Sequence, residues 1–119
     1  MDTENTPSQA WDATWRAAAT RFGDLDSDAM RSMSSLASEL ADSPDVRGLF
    51  AVTSMTTLRI SPYTCYPDWF NGRHITIDAD SGGVSMCLVS NGHDPDPRRW
   101  TCSFADAPDL IASLCRDHL

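Results

Sequence analysis

The chain has 119 residues and a formal net charge of −8, with 17 acidic residues against 9 arginines and no lysine. A pI near 4.5 argues against nonspecific binding to nucleic acid or to an anionic membrane, because both recruit positive charge. Hydrophobic residues make up 41% and charged residues 22%, the balance of one globular domain. No apolar run approaches the ~18 residues of a membrane span.

Met1-Asp2-Thr3-Glu4 has neither the basic nor the apolar part of a secretory signal, so a cytoplasmic location is expected. Residues 1–7 read as a flexible polar start and 8–119 as a single domain. Ser8 is placed to cap a first helix, in which Trp11, Trp15, Ala18, Ala19 and Phe22 recur at helical spacing. Gly23 is expected to end it with a positive φ. A second helix is expected from Asp26, with Leu25 and Met30 stapled across its cap. Its apolar stripe is Met30, Met33, Leu36, Ala37 and Leu40, and Pro44 follows its end. Asp24, Asp26 and Asp28 crowd its start, where the helix dipole favours negative charge.

A first strand is expected over about Met55 to Ile60, beginning as early as Phe50. After it comes a long connection, residues 61–72, with two prolines and four aromatics: Tyr63, Tyr66, Trp69 and Phe70. Loops of that length are uncommon in small domains and are often functional.

Residues 73–104 alternate in hydrophobicity as three strands of an antiparallel meander. A four-residue turn at 79–82 would pair Asp78 with Gly83, setting Ile77 against Val84 and Ile75 against Met86. A Pro-rich turn at 91–97 would set Leu88 against Trp100, Met86 against Cys102 and Val84 against Phe104. Asp106 and Pro108 then start a final helix with Ala107, Leu110, Ile111 and Leu114 on its core side. The expected fold is α+β: two N-terminal helices, a four-stranded antiparallel meander and a C-terminal helix, all helices on one sheet face.

Four candidate sites emerge: the aromatic connection, the outward sheet face, two sparse metal-type groupings, and the acidic surface of Asp24, Asp26, Asp28, Asp42, Asp45, Asp94, Asp96, Asp106 and Asp109, whose acids are already explained by caps, helix dipoles and turns. The aromatic connection offers Tyr63, Tyr66, Trp69 and Phe70 as stiff contact residues of the kind that anchor protein interfaces, with Arg73 and Asp68 beside them. The outward sheet face would carry a row of Arg59, His74, Cys87 and Thr101, in which Cys87 beside His74 is the minimal activated thiol. No orienting carboxylate or oxyanion-hole motif accompanies it. Cys115 with His118, and His93 with Asp94 and Asp96, are too sparse or wrongly spaced for a metal motif, so neither metal nor cofactor is expected. The four cysteines form no CxxC, and Cys87 and Cys102 lie on opposite faces, so no bridge joins these two.

These features favour a small acidic protein-binding module over an enzyme. Its concrete form is an inhibitory or immunity-type partner of a basic protein, with Tyr63, Tyr66, Trp69 and Phe70 anchoring contact and Asp94 and Asp96 speeding association. The alternatives are a small cysteine-dependent enzyme using Cys87 with His74, and a homodimeric subunit joined through the open sheet face.

Overall fold

The computed structural model describes residues 7–63, 67–80 and 82–119. Helices α1 (Pro7–Gly23) and α2 (Asp28–Ala41) are followed by a short 3-10 turn at Pro44–Val46. Then come β1 (Phe50–Ser54), β2 (Thr57–Ser61), α3 (Asp68–Asn71), β3 (His74–Asp80), β4 (Gly83–Val89), β5 (Arg98–Cys102) and α4 (Ala107–His118). The strands form one antiparallel sheet in the order β1-β2-β3-β4-β5. The α+β class holds, and α1, α2 and α4 share one apolar core with one sheet face.

Five strands replace the expected four, because the stretch around Met55 is a hairpin. Ser54 pairs with Thr57, and Met55 turns the chain with φ 56. That turn contains no Gly, Asn, Asp or Pro, the residues that advertise a hairpin.

The helical stripes fall inward as their spacing requires. Trp15, Ala18 and Phe22 of α1 are buried, as are Met30, Met33, Leu36, Ala37 and Leu40 of α2. The α1 start differs from expectation: the helix includes Pro7, so Ser8 lies in its first turn rather than at its cap. Ser27, not Asp26, caps α2, its hydroxyl accepting from the Met30 amide at 3.1 Å. Leu25 therefore misses the staple position, although it still packs against the core. Gly23 ends α1 without a positive φ. A side chain there would crowd Ser34 of α2, whose hydroxyl donates to the Ala19 carbonyl at 2.7 Å.

Helix α1 also braces the sheet edge. The Trp15 indole N–H donates to Leu49 O at 3.0 Å, and the Thr14 hydroxyl accepts from the Ala51 amide at 2.9 Å. Such bonds satisfy backbone groups that an edge strand would otherwise present to a neighbour.

The meander keeps the expected faces, but each register is displaced by two residues. Asp80 pairs with Gly83, which sets Ile77 against Met86 and Ile75 against Leu88. The turn spans two residues rather than four, with Gly82 at φ 77. Val84 faces Cys102 and Met86 faces Trp100, while Phe104 lies beyond the strand. In this register the backbones approach closely, and a Cβ on Gly83 would sit 2.6 Å from Cys102 O. A shift of two preserves which face each side chain occupies, so burial alone does not separate these registers. Ile60, Ile75, Ile77 and Met86 are fully buried.

Candidate functional site

The open face of the sheet carries Arg59, His74, Thr76, Asp78, Ser85, Cys87 and Arg99, by alternation from the buried positions. At one end it is covered by α3. The Arg59 guanidinium lies 5.0 Å from the centre of the Trp69 ring. The Trp69 ring also meets His74 edge-on, with centroids 6.3 Å apart. Trp69 and Phe70 are perpendicular neighbours with centroids 6.0 Å apart, and both are half buried. The aromatic connection thus folds back over the sheet end, while Tyr63 stays 48% exposed. Tyr66 lies outside the described residues.

Phe70 links this helix to the β4–β5 turn. Its ring packs edge-on against His93 at 5.5 Å and occupies the space a side chain on Gly92 would need. Two stretches some twenty residues apart in the chain, the aromatic connection and the acidic turn, therefore form one surface.

Asp94 and Asp96 have different parts in that turn. The Asp94 carboxylate accepts from the amides of Ser90 and Asp96, each at 3.0 Å. These amides, Ser90 foremost, hold its carboxyl below the usual carboxylate range. Asp94 thus shapes the turn, and Asp96 is the exposed acid. Both border a shallow cleft of about 290 Å³ shared with Arg73, Arg98 and His118.

His74 is only 1% exposed. Its Nδ1 is 2.9 Å from Gly72 O. A carbonyl can only accept, so Nδ1 carries the proton and Nε2 the lone pair. Burial lowers its pKa; the Gly72 hydrogen bond opposes that, and the nearby Arg59 charge adds to it.

The expected row of Arg59, His74, Cys87 and Thr101 does not form. Arg59 pairs with Thr76, Thr76 with Cys87, and Cys87 with Arg99. His74 faces Val89 instead, so it is not opposite the thiol. The first-strand pairing is Leu58 with Ile77 rather than with Ile75, the same two-residue displacement. Cys87, Cys102 and Cys115 are free thiols. Burial, with the Asp106 charge, raises Cys102. Burial, with Asp45, pushes Cys115 up to about 12. Among the described residues no cluster of three or more His, Cys, Asp or Glu is arranged to hold a metal, and no helix is long and apolar enough to cross a membrane.

Three arginines join ion pairs among the described residues. On the helices, Arg16 pairs with Asp12, Arg31 with Asp26 and Asp28, and Arg116 with Asp45 and Asp117. Arg21 of α1, Arg47, Arg59, Arg73, Arg98 and Arg99 join no ion pair among the described residues. Arg98 lies over the Trp100 ring at 5.1 Å instead. The Arg59 Nε is closed to solvent and has no hydrogen-bond acceptor among the described residues.

The site defines an α+β domain in which α1, α2 and α4 cover one sheet face, while the other carries the aromatic clamp of α3 beside Arg59 and Arg99, which join no ion pair among the described residues. No protein-family model, curated protein or solved structure matches the chain.

Proposed function

We propose that this is a small acidic protein-binding module that meets its partner through α3 and the β4–β5 turn. The observation that carries this reading is the packing of Phe70 on Gly92 and His93, which joins the two stretches into one surface. Tyr63, Trp69 and Phe70 supply large, stiff contact area of the kind that dominates binding energy. Asp96 and the turn shaped by Asp94 supply polar contacts at its rim. The net charge of −8 acts at longer range. It raises the encounter rate with a basic partner, whatever the local charge of the contact. An inhibitory or immunity-type role toward a basic protein, exercised in the cytoplasm, is the concrete form of this reading.

The test is capture from the native host lysate by wild type and by a Trp69→Ala, Phe70→Ala double variant whose helical content is unchanged. We expect a protein that binds the wild type directly and is lost from the variant. A protein retained equally by both would remove α3 from the contact.

A further inference from the structure

We infer that the row Arg59–Thr76–Cys87–Arg99 is a docking site for paired carboxylate side chains on an extended segment of a protein partner; this rests on the protein-binding reading above. Arg59 is the starting point. Its guanidinium is held against Trp69, its Nε is shut off from solvent without an acceptor among the described residues, and none of their carboxylates neutralises it. The Trp69 ring compensates this charge only in part; a partly desolvated cation without a counter-charge is costly, and an incoming anion offsets that cost. The acid of this face nearest in register, Asp78, is engaged by the Thr57 hydroxyl instead.

The register supplies the second cation. Arg59, Thr76, Cys87 and Arg99 are successive cross-strand partners on β2, β3, β4 and β5, so they point to the same side. Strands lie about 4.8 Å apart, which sets Arg59 and Arg99 about 14 Å apart across the face. In an extended peptide, residues i and i+4 are also separated by about 14 Å, at about 3.4 Å per residue, and share one side. A segment crossing the strands with acids at i and i+4 therefore matches the two arginines, with the Thr76 hydroxyl between them. Guanidinium groups suit this task because their forked donors match a carboxylate. A second copy joined β5 to β5 would instead bring Arg98 and Arg99 near their own copies, which opposes that pairing.

The test is a titration of the whole chain with the capped peptide Glu-Thr-Val-Thr-Glu, read from the arginine Nε–Hε signals by NMR. We expect saturable shifts at Arg59 and Arg99, and none at Arg31 and Arg116. Arg59→Gln and Arg99→Gln should each weaken binding at least about tenfold, and Gln-Thr-Val-Thr-Gln should not bind. Arg99 is exposed and does not hold Trp69, so its variant remains informative if Arg59→Gln perturbs α3. Equal shifts at all arginines, equal binding of the Gln peptide, or the same response to inorganic phosphate at equal concentration would overturn the inference. Failure of the peptide, with capture still lost in the Trp69→Ala, Phe70→Ala variant, would overturn this inference alone. Peptide binding with capture unaffected by that variant would overturn the role of α3 instead.

Discussion

The Phe70 ring stands where a side chain on Gly92 would have to go. A Cβ on Gly92 would overlap the Phe70 ring at Cε1. Gly92 is thus required by close approach, not by its backbone angle, since its φ is not positive. Gly92→Ala should displace α3 from the turn and destabilise the fold by about 1–3 kcal/mol, the usual cost of overpacking. Urea unfolding measures this, and a change below about 0.5 kcal/mol would show that α3 is not held by this contact.

Met55 offers the opposite sign. It sits at the hairpin tip with φ 56 and is 82% exposed. A non-glycine residue in that region costs about 1–2 kcal/mol, while glycine carries an entropy cost of about 0.5–1 kcal/mol. Met55→Gly should therefore stabilise the protein, by up to about 1 kcal/mol. Thermal unfolding would show it as a higher midpoint, and a lower midpoint would contradict it.

These two residues illustrate what was legible. Alternation assigned the meander strands their correct faces, since a strand displaced by two keeps its parity. The displacement follows the choice of a two-residue over a four-residue turn, which alternation does not distinguish, and it brings Gly83 against the Cys102 carbonyl, a tertiary contact. The Met55 hairpin carries no turn residue, so nothing local announced it. Trp69 and Phe70 stood out as aromatics in a long connection, but their seating on Arg59, His74 and Gly92 depends on how far that connection folds back. The Cys87–His74 pairing failed because it rested on register, the least local of these properties.

Stability should depend on pH through His74. Its folded pKa lies below the ordinary value, chiefly because burial penalises the charged form. The unfolded chain therefore takes up the proton first as pH falls. The contribution is complete above about pH 6.5 and is lost as pH falls from there through the folded pKa. Urea midpoints at pH 7.5 and 5.5 should differ more for wild type than for His74→Asn. Equal differences would contradict the linkage.

The thiols should be distinguished by accessibility. Cys115 is 2% exposed and its pKa is pushed up to about 12. The thiolate is the reactive form, so iodoacetamide should leave Cys115 unmodified in the native protein while half-exposed Cys87 reacts. Peptide mass mapping before and after denaturation reads this directly. Native labelling of Cys115 at the Cys87 rate would mean that α4 opens readily.

The most direct measurement is the affinity of the purified captured protein for three forms of the chain. These are the wild type, the Trp69→Ala, Phe70→Ala variant, and Ser35→Arg on the exposed side of α2, away from the open sheet face. We expect the aromatic variant to lose at least about thirtyfold in affinity, the scale of an interface hot spot of about 2 kcal/mol. The α2 variant should bind as the wild type does. Unchanged affinity in the aromatic variant, with loss on changing α2, would place the contact on the helical face and contradict the role assigned to α3.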